Sequence, residues 1–235
     1  MKIEVWSDYV CPFCYIGKRL LEQSLEQTGY KEQVDITFKA YELDPDAPKV
    51  STESTAEMVA RKYGTTVEAA KQMSQQIGDR AKEVGLHYNF DKMKPANTFD
   101  AHRLAKFAEK KGKEAELSEL LLHSYFIEGK EIGRHEVLLE LAQTVGLERA
   151  EAEKVLESDQ YSEDVRADIN EAMQIGVKGV PFFVLNNKYA ISGAQPAEVF
   201  QDALRQVAEE EGLKPKLKTF GSDQGGLCTD GSCDI

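Results

Sequence analysis

Apolar positions along this chain recur at two different periods, and the switches between them mark out its elements. "KIEVWSD" alternates at period two and predicts a strand with Ile3, Val5 and Trp6 as core candidates. "PFCYIGKRLLEQSLEQTG" then places Phe13, Ile16, Leu20, Leu21 and Leu25 at helical spacing, with Pro12 suited to a first helical position and Gly29 to the end. "VDITFKAYEL" returns to alternation through Val34, Ile36 and Phe38, and "DPDAPKVSTEST" breaks the pattern with two prolines. From about residue 55 to 176 the spacing is helical almost throughout. Its segments are "STAEMVARKYG", "TVEAAKQMSQQIGDRAKEVGL", "TFDAHRLAKFAEKKG", "EAELSELLLHSYFIEG", "RHEVLLELAQTVGL", "ERAEAEKVLES" and "SEDVRADINEAMQIG". They share no fixed repeat, which argues against a solenoid. Strand character resumes in "VPFFVLNN" and "KYAISG", with Asn186-Asn187 as a hairpin turn, before a last helix in "QPAEVFQDALRQVAEEEG".

The order is strand, helix, strand, a helical block, strand, strand, helix. It predicts an α/β fold, βαβ…ββα, interrupted by a large all-helical insertion. Residues 1–50 and 177–214 form the discontinuous α/β domain, 51–176 the insertion, and 215–235 a Gly/Ser/Asp-rich tail. With 235 residues, 41% hydrophobic and 30% charged, the composition is that of an ordinary globular protein. The formal net charge of -12 leaves no basic stripe for phosphates, so nucleic acid is not an expected partner. No apolar run approaches the ~20 residues that span a bilayer. The N-terminus reads as a strand rather than a secretory signal, and a cytoplasmic location is expected.

Location bears on the four cysteines. "CPFC" sets Cys11 and Cys14 at the junction of the first strand and helix, and "CTDGSC" sets Cys228 and Cys233 in the tail. In a reducing compartment a static disulfide is unexpected, and C-x-x-C on a βαβ unit points to a thioredoxin-like redox site. At the helix start, first-turn N–H groups, those of Phe13 and Cys14 included, favour a Cys11 thiolate. The helix dipole contributes about 0.3–2 kcal/mol, which lowers a thiol pKa by at most roughly 1.5. Pro12 and Phe13 tune the pair and add no polar side chain, so the expected acidification is moderate. Cys11 attacks a disulfide, and Cys14, one turn along, resolves the mixed disulfide. The rival reading gathers all four thiolates around zinc, which the metal content of reduced protein would reveal. Without zinc, no metal is expected. Cys228 and Cys233 then form an auxiliary redox pair, relaying to or capping Cys11–Cys14, or pair only with each other.

The chain resembles the DsbA family of thioredoxin-like oxidoreductases, in particular its cytosolic FrnE-like branch. The resemblance rests on "SDYVCPFCYIGK", "ANTFDAHRLA", "GVPFFV" and "CTDGSC" and covers essentially the whole length. It implies a thioredoxin fold and dithiol–disulfide exchange at Cys11 and Cys14. It also implies a substrate groove between the active-site helix and a cis Val180–Pro181 bond, with Val180 backbone groups free for an extended substrate. Implied partners are disulfide- or thiol-bearing proteins, with glutathione or the thioredoxin system supplying electrons. Glutathione would be a co-substrate; no bound cofactor is implied. The missing signal and the absence of histidine between the cysteines depart from secreted DsbA. Glutathione-dependent 2-hydroxychromene-2-carboxylate isomerases are similar around "ANTFDAHR" but carry serine in place of Cys11, and an isomerase or transferase is the alternative activity. A redox-inert binding module is disfavoured by the intact motifs. His102 is a candidate groove residue, whereas His87, His123 and His135 share no metal-binding spacing. Monomer or homodimer, client, reduction potential and direction of exchange are open.

Overall fold

A computed structural model describes residues 1–216. Its sheet has the order β2-β1-β3-β4, from β1 (Lys2–Ser7), β2 (Asp35–Ala40), β3 (Phe182–Leu185) and β4 (Tyr189–Ser192). β1 runs parallel to β2 and antiparallel to β3, so Val5 lies opposite both Phe38 and Phe183. β3 and β4 form the expected hairpin, and Asn186 and Asn187 hold its turn at φ 49° and 54°, a left-handed conformation that asparagine tolerates. The parallel pair puts the C-terminal ends of β1 and β2 at the same edge as the start of β3. The strand-to-helix junction carrying the cysteines lies there.

Period-two alternation in β1 suggests one buried and one solvated face, and here the structure differs. Every residue from Ile3 to Ser7 is buried, because β1 is a central strand covered on both sides. On one face Ile3, Val5, Phe183, Leu185 and Ile191 pack against Leu21 and Leu25 of α1 (Pro12–Thr28) and Phe200, Leu204 and Val207 of α9 (Ala197–Glu210). On the other, Trp6 packs with Ala172 and Val177 and donates its indole N–H to the Asp168 carbonyl at 2.9 Å. Glu4 shares that face. Burial alone would raise its pKa, but bonds from Lys2 at 3.0 Å and Lys39 at 3.2 Å outweigh burial and hold it low. The charge survives burial because it is paired.

The helices between β2 and β3 are α2 (Thr55–Tyr63), α3 (Val67–Glu83), α4 (Phe99–Lys110), α5 (Glu114–His123), α6 (His135–Thr144), α7 (Arg149–Glu157) and α8 (Ser162–Gln174). Local chemistry sets their starts. Ser54 and Glu57 close a reciprocal capping box on α2, and Thr66 accepts the Ala69 N–H at 3.1 Å to cap α3. Their core includes Leu104, Leu117, Leu121, Phe126, Leu138 and Val155, and it runs on without a break into Tyr9, Tyr15 and Ile16 beside the cysteines. The single helix expected over "EAELSELLLHSYFIEG" ends at His123 and gives way to a wide π turn over Ser124–Glu128. The Phe126 carbonyl accepts the Asn89 N–H at 2.8 Å, so it serves a tertiary contact rather than the helix ladder.

β2 is an edge strand, and side chains from the insertion seal it. Asp168 accepts the Ala40 N–H at 2.9 Å, Lys106 donates to the Phe38 carbonyl at 3.4 Å, and Glu114 accepts from the Phe38 N–H at 3.5 Å. These contacts block pairing with another strand. Burial pushes the Glu114 carboxyl up to about 7, with Lys106 opposing and Glu109 adding to the rise. A carboxyl raised in the folded state binds more protons folded than unfolded, so stability falls as pH rises between about 4.5 and 7. Glu114→Gln is expected to raise the melting temperature at pH 8 and to give no gain at pH 5. Equal shifts at both pH values in thermal melts would contradict the assignment.

Candidate active site

The site forms where β1 runs into α1. The Cys11 N–H donates to the Asp8 carbonyl at 3.1 Å, closing the turn that aims the chain into the helix. Cys11 is the N-cap, with φ -87° and ψ 113°, and Pro12 occupies the first helical position, where its missing N–H is no loss. Both thiols are free and buried. The Cys14 sulfur accepts the Asp8 N–H at 3.4 Å, and the Ser7 side chain also reaches it. Burial, followed by the adjacent Cys11 sulfur, pushes the Cys14 thiol well above its ordinary value. A thiol raised this way stays protonated near neutral pH.

Cys11 faces the third strand. Its S–H donates to the Val180 carbonyl at 3.4 Å, and the Val180–Pro181 bond is cis. The Pro181 carbonyl accepts the Gly193 N–H at 2.8 Å, tying this loop to the end of β4. Pro181 also leans on α1 at Gly17, where an added Cβ would sit 2.8 Å from the proline Cγ and 3.1 Å from the Phe183 ring. The proline loop can approach the active-site helix this closely because Gly17 has no side chain. The sequence reading missed Gly17, although a glycine within the helical run "CYIGKRL" was the available signal.

The Cys11 sulfur differs from expectation in its immediate partners. No first-turn N–H caps it, and the Cys14 N–H bonds the Cys11 carbonyl at 3.0 Å instead. In this thiol state the sulfur is held by Val180.

The insertion grips the residues between the cysteines, which no motif foretold. Tyr88 donates its hydroxyl to the Pro12 carbonyl at 2.7 Å and stacks its ring on Phe126 at 4.7 Å. Burial, then the nearby Cys11, raises the Tyr88 pKa, so the phenol remains a donor. Arg80 lies with its guanidinium carbon 5.3 Å from the centre of the Phe13 ring. Tyr15, next to Cys14, donates to Glu119 of α5 at 2.6 Å, and Lys18 and Arg19 also bond Glu119. Burial would raise the Glu119 pKa; Arg19, Lys18 and Tyr15 override it and hold the carboxyl near 2.

His102 needs correction. The residue is only 4% exposed, so it does not line an open groove. It lies beneath the site, 4.7 Å from the Tyr9 ring, with Nε2 at 3.1 Å from the Tyr41 carbonyl and 3.6 Å from Asp8 Oδ1. Asp8, whose N–H bonds the Cys14 sulfur, stands between it and the dithiol. Cys11, Pro12, Phe13, Cys14, Val180 and Pro181 thus come together; Cys228 and Cys233 lie outside the described residues.

The DSBA-like thioredoxin domain family matches residues 2–205 of the chain. A "probable DsbA oxidoreductase SCO1869" from Streptomyces coelicolor is similar over 96% of both chains, at 36% identity and a TM-score of 0.84. A 2-hydroxychromene-2-carboxylate isomerase is similar in fold over 90% of this chain and 98% of its own, at 14% identity and a TM-score of 0.65. The cytosolic disulfide reductase DsbM from Pseudomonas aeruginosa, solved with GSH, is similar in fold over 89% of this chain and 100% of its own, at 15% identity and a TM-score of 0.63. No helix among the described residues is long and apolar enough to cross a membrane.

Proposed function

The chain belongs to the DSBA-like thioredoxin domain family, and on that premise we propose that it is a cytosolic thiol–disulfide oxidoreductase of the FrnE-like kind. The observation that carries this reading is the Cys11 thiol held 3.4 Å from the Val180 carbonyl, with Cys14 behind it on the same helix. In the reducing direction the Cys11 thiolate attacks one sulfur of a substrate disulfide, forming a mixed disulfide and releasing one thiolate. Cys14 then loses its proton and attacks the Cys11 sulfur, releasing the second thiolate. The substrate gains two electrons and two protons, and the dithiol becomes a disulfide. Once Cys11 has reacted, the Val180 carbonyl loses its thiol donor and is free to accept an N–H from an extended peptide. Clients are disulfide- or thiol-bearing proteins, and glutathione or the thioredoxin system returns the electrons. The isomerase alternative is weaker because a free thiol stands at Cys11. Insulin reduction with dithiothreitol, comparing wild type with Cys11→Ser, tests the proposal; equal rates would remove it.

Cys228 and Cys233 enter the same scheme as an auxiliary pair that exchanges disulfides with Cys11–Cys14. The Lys216 N–H bonds the Gly29 carbonyl at 2.9 Å, so the described chain ends at the far end of α1. That helix has 17 residues, or about 25 Å at ~1.5 Å per residue. The stretch from Lys216 to Cys228 reaches up to about 40 Å when extended, enough to return to Cys11. Deleting residues 222–235 is expected to slow turnover severalfold and to raise Cys11 alkylation. Unchanged values of both would exclude the relay.

A further inference from the structure

We propose that Arg80 is an anion-binding subsite of the dithiol centre, selecting disulfides that carry a carboxylate close to the reacting sulfurs. The inference rests on the reading of Cys11–Cys14 as a working dithiol and names the class of substrate it takes.

Position is the first argument. Arg80 projects from α3 of the insertion to the start of α1. Its guanidinium lies over Phe13, the residue just before Cys14, and its Nη2 donates to the Ala194 carbonyl at 3.0 Å. Ala194 follows Gly193, whose N–H is bonded to the Pro181 carbonyl, so one arginine links Phe13, in the first turn of α1, to the loop fastened to Pro181.

Charge is the second. In a chain of net charge -12 an arginine readily finds a carboxylate. Arg19, Arg61, Arg103, Arg134, Arg166 and Arg205 each bond one, and Arg149 bonds an amide. Among the described residues Arg80 bonds no carboxylate, although Asp79 precedes it on the same helix. Asp79 is taken by Lys82 at 2.8 Å and Gln75 at 3.0 Å. Arg80 is exposed, and a single carbonyl does not use up its five N–H donors. What is left suits a planar two-oxygen acceptor.

Orientation is the third. The guanidinium carbon sits over the Phe13 ring, 5.3 Å from its centre, a contact that restrains the side chain without consuming its donors. A carboxylate bound at its free edge would hold its disulfide between Phe13 and the Val180–Pro181 loop, over Cys11. Oxidised glutathione has this chemistry, and so does a protein cystine flanked by Asp or Glu.

The test uses the full-length reduced protein and three small disulfides of graded charge: anionic oxidised glutathione, neutral hydroxyethyl disulfide and cationic cystamine. Second-order rates of Cys11 oxidation are compared as ratios, which cancels any change in Cys11 thiolate fraction. Arg80→Gln is expected to lower the glutathione-to-cystamine ratio about tenfold, Arg80→Glu to lower it further, and Arg80→Lys, which keeps the charge but not the planar fork, to retain only part of it. An unchanged ratio in both Arg80→Gln and Arg80→Glu would overturn the subsite. A matched pair of cystine peptides with Glu or Gln flanks distinguishes the source of the carboxylate. Discrimination lost there as well assigns a general carboxylate site, and loss confined to glutathione assigns a site for small thiols. If wild type reacts with none of the three disulfides, the dithiol reading itself fails, which is a different result from an Arg80-independent ratio.

Discussion

Cys11→Ser is expected to bring insulin reduction down to the rate of dithiothreitol alone, while Cys14→Ser stalls the protein as a mixed disulfide. The two variants differ because the two sulfurs do. Exchange requires a sulfur–sulfur bond to the attacking atom, and a serine hydroxyl at position 11 can form none. With Cys11 intact the first attack proceeds, because the attacking sulfur is Cys11's own, set against the Val180 carbonyl, and the new bond does not include Cys14. Resolution then fails, since Cys14 is the thiol held behind it on the Asp8 N–H. In protein lacking residues 222–235, so that Cys228 and Cys233 are absent, intact-mass measurement after mixing with oxidised glutathione should show one added glutathionyl group on Cys14→Ser, removable by dithiothreitol, and none on Cys11→Ser. An adduct on Cys11→Ser, or turnover by it, would reverse the assignment of nucleophile and resolving thiol.

Gly17→Val should carry a large structural effect beside the site. The new Cβ would fall 2.8 Å from Pro181 Cγ, and the obstructing atom belongs to a rigid ring in a loop fastened by the Gly193 bond. Such overpacking costs about 1–3 kcal/mol, and a β-branched residue gains little of the helix propensity that leaving glycine would otherwise recover. We expect a loss of about 2–3 kcal/mol in urea unfolding, together with slower exchange at Cys11. Gly17→Ala should show the same direction with a smaller loss, because removing a helical glycine returns roughly 0.5–1 kcal/mol. An unchanged midpoint for Gly17→Val would mean that the Pro181 loop yields freely.

Local chemistry in one stretch of chain identified much of this site. Cys11 and Cys14 announce themselves by spacing, Pro12 by its fit to a first helical turn, and the hairpin by Asn186-Asn187. Pro181 was legible only through the fold implied by the family resemblance. Other features depend on contacts between residues far apart in sequence, and there the reading ran out. Alternation in β1 offered Ile3, Val5 and Trp6 for the core and said nothing of Glu4, which two covered faces bury and whose charge Lys2 and Lys39 hold. "ANTFDAHRLA" offered His102 for the groove, but packing places that ring against Tyr9, under the site. Tyr88, Arg80 and Glu119 have no motif, since each matters only through a partner on α1.

By itself, then, the sequence determined a βαβ…ββα chain with a helical insertion and a C-x-x-C at a helix start, because periodicity and end-capping are properties of neighbouring residues. Tertiary structure alone decided how that dithiol is set. Burial raises Cys14, the Val180 carbonyl holds Cys11, and Gly17 lets the Pro181 loop close on α1. It also brought Tyr88 and Arg80 of the insertion onto Pro12 and Phe13. The reason is physical: desolvation and through-space hydrogen bonding depend on which surfaces meet, and residues about seventy positions apart along the chain meet only when it folds.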